Sequence, residues 1–130
     1  GVLLALISNG MNITIKAPQH DLTLAMRELI EGKFSALEKL VANPASPATL
    51  SCEIEESIAV ERAGAKFRAE GNLRVDGKLF RAEGTSSTLE GAVDCVRDDL
   101  MREVRNARGK ERGLMKRGGA AIKQMLRFGN

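Results

Sequence analysis

The feature that most constrains the fold is a pair of alternating apolar and polar runs on either side of Asp76-Gly77. Residues 67–75 and 80–84 place apolar or small side chains at every second position, which is typical of strands with one buried face. An Asp-Gly pair between two such runs is the strongest short-range signal for a β-hairpin. A third alternating run, residues 50–55, precedes a looser turn at Ala63-Gly64. The middle of the chain is therefore predicted to form three antiparallel strands.

A further strand and a helix are predicted before this unit. Residues 12–17 alternate polar and apolar side chains, and a turn follows at residues 18–21. Residues 22–41 repeat apolar side chains with the 3.6-residue helical period, and Asp21 or Thr23 is expected to cap this helix. A Pro-containing segment at residues 43–47 ends the helix and forms a surface loop.

A second amphipathic helix is predicted after the third strand of the middle unit. The segment Ser86-Ser87-Thr88 supplies its N-cap, and Gly109 and Gly113 are expected to end or fray it. Its charged side chains become more basic toward the C-terminal end, which also suits the helix dipole. The predicted buried stripe consists of Leu89, Ala92, Val93, Val96, Leu100 and Val104.

These elements predict one α+β domain at residues 11–110, a two-layer β-α-β-β-β-α arrangement. Its four-stranded, mostly antiparallel sheet carries two helices on one face. Residues 1–10 contain an apolar run that is too short to span a bilayer and lacks the features of a signal peptide. They are expected to be an extension outside the fold. Residues 111–130 are expected to be a basic C-terminal tail or short helix that orders on a partner or packs back on the domain.

The distribution of charge indicates an anionic partner. Residues 1–96 hold 10 Lys/Arg and 13 Asp/Glu, whereas residues 97–130 hold 10 Lys/Arg and 4 Asp/Glu. Basicity gathered at one end of a chain is typical of nucleic-acid binding, although a solvated helix face with a basic tail has the same composition. The chain has only four Phe and no Tyr or Trp, which argues against a surface of stacked aromatic rings.

The sequence predicts no catalytic site, cofactor or metal. It contains no phosphate-binding loop, and Cys52, Cys95 and His20 have no metal-ligand spacing. Both cysteines are interpreted as small core side chains in a reduced, cytoplasmic compartment. Glu53 and Glu55 share the solvated face of a strand, where carboxylates are more often paired with cations than catalytic.

Several segments together resemble the short ribosome hibernation-promoting factors, also known as ribosome-associated inhibitors or ribosomal subunit interface proteins. The resemblance covers about residues 11–110 and is spread along the chain, without a single diagnostic motif. The resemblance rests on residues 11–15 (MNITI), residues 33–40 (KFSALEKL) and residues 77–82 (GKLFRA). It also rests on the second helix, with Ala92-Val93-Asp94, Asp98-Asp99-Leu100 and the basic run to Arg108.

This resemblance implies a non-catalytic protein that binds the small ribosomal subunit and its rRNA near the decoding region. Such a protein blocks mRNA and tRNA binding, which inhibits translation and protects idle ribosomes under stress. The resemblance implies rRNA contacts at Arg97, Arg102, Arg105 and Arg108, and the local charge extends the expected RNA-binding set to Lys110, Arg112, Lys116 and Arg117.

The sequence departs from the family pattern in the second helix. Glu90 occupies a position where an aromatic residue is usual, and Ser87-Thr88 replaces an acidic pair. The end of the helix is rich in Arg rather than Lys, which favours bidentate phosphate contacts. The chain lacks the extra C-terminal domain of long family members, so no dedicated dimerisation domain and no membrane partner are expected.

Two other functions remain open on the sequence. The same basic surface would suit a regulator that binds structured RNA away from the ribosome. Alternatively, the apolar residues within 122–128 would suit a protein-interaction module whose tail docks into a groove.

Overall fold

A computed structural model describes the backbone of residues 2–7, 10–17, 23–56 and 66–127, and the side chains of residues 10–17, 23–56 and 66–113. The predicted turns at residues 18–21 and 63–64 lie outside these ranges. The elements in chain order are β1 (Val2–Ile7), β2 (Met11–Ala17), α1 (Leu24–Val41), β3 (Ala48–Glu56), β4 (Phe67–Val75), β5 (Lys78–Ser86) and α2 (Leu89–Arg127).

From residue 11 onward the predicted α+β class and the β-α-β-β-β-α order are confirmed. The strands lie side by side in chain order, from β1 to β5. β2 and β3 run parallel because α1 connects them, whereas the pairs β3–β4 and β4–β5 are antiparallel. The sheet is therefore mostly antiparallel, as predicted.

The sheet has five strands rather than four, because β1 pairs antiparallel with β2. The register sets Leu4 opposite Ile15 and Leu6 opposite Ile13. This pairing differs from the expectation that residues 1–10 lie outside the fold. This apolar run of six residues forms an edge strand along β2. Its backbone N–H and C=O groups find hydrogen-bond partners there. Gly10 adopts φ 126° at the turn, and its carbonyl accepts a hydrogen bond from Ala48 N at 2.9 Å.

Both helices cover the same face of the sheet, and the core lies between the two layers. Every residue of the stripe predicted for α2 is buried, and α1 contributes Ile30, Phe34, Leu37 and Val41. Cys52 is a core residue as predicted, and burial raises the pKa of its thiol to about 12. Cys95 is exposed, so the interpretation of this second cysteine as a core side chain is wrong. Cys95 is one residue away from the buried stripe of α2 and therefore lies beside that stripe on the helix surface.

The turns and caps follow the predicted residues. Asp76 and Gly77 have φ angles of 50° and 80°, as the tight turn between β4 and β5 requires. Thr23 caps α1 by accepting a hydrogen bond from Met26 N. Thr88 caps α2 by accepting one from Gly91 N at 3.0 Å.

Two glycines let α2 approach the sheet closely. A Cβ added at Gly71 on β4 would lie 2.5 Å from Cγ1 of Val96, and one added at Gly84 on β5 would overlap Cβ of Cys95. The position of α2 over β4 and β5 therefore depends on the missing side chains at these two sites.

α2 continues through Gly109 and Gly113 to Arg127, so the prediction that these glycines end or fray the helix is wrong. Glycine in a helix interior costs roughly 1 kcal/mol relative to alanine, which weakens a helix without breaking it. The neighbouring Lys, Arg, Glu and Met residues are good helix formers. With 39 residues, α2 is about 58 Å long, and the predicted basic tail is largely its continuation. Among the described residues, no helix is long and apolar enough to cross a membrane.

Candidate nucleic-acid interface

The charges of α2 divide the helix into two parts. Residues 89–103, which we call the packed half, contain five acidic and two basic side chains. Residues 104–127, which we call the basic half, contain eight basic side chains and one acidic side chain. Among the described side chains of α2, all but one of the buried residues lie in the packed half, and the exception is Val104 at the boundary. The basic half is therefore the part of α2 that is available to an anionic partner.

In the packed half, the cations are held by neighbouring carboxylates. Arg97 lies 3.2 Å from Asp94 and 2.9 Å from Asp98, and its side chain is only 25% exposed. Arg102 lies 2.7 Å from Asp99. Asp94 also bonds Lys33 of α1 at 2.7 Å, so this network joins the two helices. Arg97 and Arg102 were predicted to contact RNA, and the structure places them in ion pairs within the domain.

Arg108 has a contact that sequence reasoning did not predict. One of its guanidinium nitrogens donates a hydrogen bond to the carbonyl of Leu40, at a distance of 2.6 Å. Leu40 belongs to the last turn of α1, where carbonyl groups have no partner within the helix. Arg108 therefore satisfies the C-terminal end of α1 and ties it to α2.

Three of the predicted RNA-binding residues are exposed and have no ion-pair partner among the described side chains. Arg105, Lys110 and Arg112 are exposed, and none forms an ion pair with a described side chain. Lys116 and Arg117 lie on the same helix, and their side chains are outside the described residues. The acidic residue of the basic half, Glu111, is paired with Lys78 of β5. Among the described side chains of the basic half, Arg105, Lys110 and Arg112 therefore keep their positive charge without a neighbouring carboxylate.

A small cleft lies between the β4–β5 turn and the start of the basic half. Its volume is about 180 Å³. The hairpin and α2 contribute equally to its walls, with apolar residues and charged residues in similar number. We call it the hairpin cleft, and it is lined by Val75, Asp76, Lys78, Phe80, Val104, Ala107, Arg108 and Glu111.

Neither of the two described helices lies on the other face of the sheet, and we call it the open face. As predicted, cross-strand ion pairs occupy it. Arg68 bonds Glu83 and Glu70, and Arg81 bonds Glu70 at 3.2 Å. Attraction to Glu83 raises the pKa of the Arg68 guanidinium, and hydrogen bonds from Arg81 and Asn72 lower the pKa of Glu70. The positive and negative charges of the open face thus largely neutralise one another.

Three cations of the open face form no ion pair with a described side chain. They are Lys16, Arg74 and Lys66, which precedes β4 by one residue. All three are exposed. The open face therefore provides a comparison for the basic half, because within the described residues each of the two surfaces has three exposed cations without an ion pair.

Comparison with protein families matches residues 13–112 to the family described as sigma 54 modulation protein / S30EA ribosomal protein. The match spans most of the chain, and this protein belongs to that family of ribosome-associated proteins. It includes the packed half and the beginning of the basic half. A search of curated proteins finds no match.

Two solved structures share the fold. The N-terminal domain of Protein Y from Thermus thermophilus aligns with a TM-score of 0.57 and 22% identity, over 71% of this chain and 92% of that one. A ribosomal subunit interface protein from Coxiella burnetii aligns with a TM-score of 0.51 and 17% identity, over 75% of this chain and 97% of that one. At these identities the likeness concerns the fold alone.

Sequence reasoning found the cations but not their partners. Asp94 lies three residues before Arg97, a spacing that allows an ion pair along a helix, whereas Asp98 is the next residue and has no such periodic signal. The bond from Arg108 to Leu40 spans 68 residues and has no local signal. The hairpin cleft likewise depends on how α2 crosses the end of the hairpin, which local patterns do not encode.

Proposed function

We propose that this protein is a ribosome hibernation factor that acts in the cytoplasm and without catalysis. It binds the small ribosomal subunit and its rRNA near the decoding region, where it blocks mRNA and tRNA. Translation is inhibited, and idle ribosomes are protected during stress. Membership of a family of ribosome-associated proteins supports this proposal. The observation that carries it is the group of exposed cations on the basic half that form no ion pair with a described side chain: Arg105, Lys110 and Arg112.

The physical basis is attraction between these cations and RNA phosphates. Each phosphate that a cation neutralises releases a condensed counterion, and this release dominates the affinity of such complexes. Arg105 and Arg112 can contact a phosphate through two N–H groups at once, whereas Lys110 acts as a point charge. The two-layer domain attached to α2 is rigid and bulky, so its docking beside the RNA excludes other ligands sterically.

The experiment is co-sedimentation of the protein with purified bacterial small subunits through a sucrose gradient. The test variant combines Arg105→Glu, Lys110→Glu and Arg112→Glu. The matched control combines Lys16→Glu, Lys66→Glu and Arg74→Glu, which changes the net charge equally on the open face. We expect the test variant to lose at least about a hundredfold in affinity, because three phosphate contacts become repulsions. The control is expected to stay within about fivefold of the wild type.

Equal losses in both triple variants would contradict a specific role for the basic half, because net charge alone would then govern binding. A wild-type protein that remains at the top of the gradient but binds isolated RNA duplexes would favour a regulator that acts away from the ribosome. Arg108 is left unchanged in the test variant, because replacing it would also remove its bond to Leu40.

Salt dependence provides a second measurement of the same mechanism. Affinity for the small subunit should fall linearly with added salt on logarithmic axes. Neutralising Arg105, Lys110 and Arg112 to Gln should make this slope shallower by about 2, since each lost phosphate contact removes roughly 0.7–0.9 from it. An unchanged slope would show that these side chains do not contact phosphates.

A further inference from the structure

We propose that the hairpin cleft receives one unpaired nucleobase of the RNA to which the protein binds. This inference rests on the proposed function and extends it, because phosphate contacts position a protein but do not read bases. The basic half provides the positioning contacts, and the hairpin cleft lies directly against its first two turns.

The walls of the hairpin cleft suit the faces of a planar ring. Val75 and Val104 are buried apolar residues of its wall, and Ala107 and Phe80 are half-buried. Phe80 is one of only four aromatic residues in the chain. Unpaired bases are commonly recognised by apolar contact and by stacking on such rings.

The size of the hairpin cleft limits the occupant. Pockets for drug-sized molecules begin at roughly 300 Å³, whereas this one holds about 180 Å³. A single base fits this description better than a complete nucleotide, whose ribose and phosphate would remain outside. With the base inside the cleft, the phosphate remains in contact with solvent and with the cations of the basic half.

The rim offers polar groups for the edge of a base. Asp76 is exposed and has no hydrogen bond to a described residue, so its carboxylate can accept from an exocyclic amine. Arg108 uses one nitrogen for Leu40 and keeps further N–H donors for a carbonyl or ring nitrogen. Lys78 and Glu111 pair across the mouth, and both side chains are about half exposed. Such exposed pairs contribute little stability, so this one can open at low cost.

Helical geometry places the available cations on both sides of the cleft. With 3.6 residues per turn, Arg105 and Arg112 lie next to Arg108 on one side, and Lys110 lies next to Ala107 on the other. An RNA strand that contacts Arg105 and Arg112 therefore runs along the Arg108 side of the hairpin cleft. A base turned toward the protein at that point enters the cleft.

The test compares the wild type with Ala107→Leu, which fills the hairpin cleft with a good helix former, and with Ala36→Leu, the same change at an exposed position of α1. Each protein is bound to small subunits and probed in two ways. Hydroxyl radicals report protection of the sugar–phosphate backbone, and base-specific reagents report the Watson–Crick edges of unpaired bases. We expect the wild type and Ala36→Leu to protect backbone positions together with one adjacent unpaired base. Ala107→Leu should keep the backbone protection, lose the base protection and bind about tenfold more weakly.

The outcomes separate this inference from the proposed function. No backbone protection by the wild type would overturn the proposed function and this inference with it. Backbone protection with no difference in base reactivity between the wild type and Ala107→Leu would overturn the inference alone. Weaker binding by Ala107→Leu without any change in base reactivity would indicate a protein side chain in the cleft and would also overturn it. If Ala107→Leu fails to fold, Phe80→Leu removes the ring while keeping an apolar side chain, and it should cause the same loss of base protection.

Discussion

In the packed half of α2 several charged side chains form ion pairs, whereas most of the described charged side chains of the basic half form none with another described side chain. Lys33, Asp94 and Arg97 form a network between the helices in the first part. Arg105, Lys110 and Arg112 form no such ion pair with any side chain that the structure describes. One helix therefore combines a segment that stabilises the domain with a segment whose charges are left for a partner. A count of charges along the helix does not separate these two parts, because Arg97 and Arg102 add to the basic total although each forms an ion pair within the domain.

The two halves also differ in what stabilises the helix. The packed half contains one glycine, Gly91, and buries a continuous apolar stripe against the sheet. The basic half contains four glycines at positions 109, 113, 118 and 119. Each interior glycine costs roughly 1 kcal/mol relative to alanine. The helix of the packed half is thus maintained by tertiary packing, and that of the basic half depends more on its intrinsic helix propensity.

The largest effect that would test this comparison is expected from Leu100→Ala. Leu100 is fully buried in the packed half. Its truncation should lower the free energy of unfolding by about 2–5 kcal/mol, because it leaves a cavity beneath α2. Arg105→Ala, in the basic half, should change the free energy of unfolding by less than about 0.5 kcal/mol. Urea denaturation of both variants measures the difference, and similar losses would show that the basic half also supports the fold.

A smaller loss of stability is expected from adding a methyl group beneath the packed half. Gly71→Ala and Gly84→Ala each introduce a Cβ that collides with α2. We expect each to lower the free energy of unfolding by about 1–3 kcal/mol, because the helix must move away from the sheet. Urea denaturation is again the measurement. Wild-type stability in both variants would mean that α2 does not pack as closely as the structure shows.

The same substitution in the basic half should have the opposite sign. A Cβ added at Gly109 has no atom within 4 Å. Gly109→Ala should therefore raise the helix content measured by circular dichroism and stabilise the protein by about 0.5–1 kcal/mol. Ribosome binding should be retained, since no charge is altered. Destabilisation by this variant would show that Gly109 has a contact or conformation that differs from the structure.

The smallest effect is expected from the ion pair between Lys33 and Asp94. Both groups are partly exposed, at 17% and 36% of their side chains. A double-mutant cycle with Lys33→Met and Asp94→Asn should give a coupling free energy of about 0.2–1 kcal/mol, because solvent screens the pair. A coupling near zero would show that apolar packing alone joins α1 to the packed half.

Much of the fold was predictable because its signals are local. Alternation at residues 67–75 and the Asp76-Gly77 pair specify a hairpin wherever they occur in a chain. The buried stripe of α2 was predicted completely, since a 3.6-residue period identifies the face that must leave water. Two local signals were misleading. Gly109 and Gly113 weaken a helix without ending it, and the apolar run of residues 2–7 pairs with β2 instead of remaining apart.

The sequence by itself determined the order of strands and helices, the apolar face of each and the concentration of cations in the last third of the chain. Only the tertiary structure decided which cations are available and where a cleft forms. Arg108 is held by Leu40 because α1 ends beside α2, and the hairpin cleft exists because α2 crosses the β4–β5 hairpin at Val104 and Ala107. The physical reason is the separation along the chain of the residues that interact. Secondary structure follows from the periodicity of neighbouring residues, whereas the partner of a charged side chain depends on groups that folding brings together from distant parts of the chain.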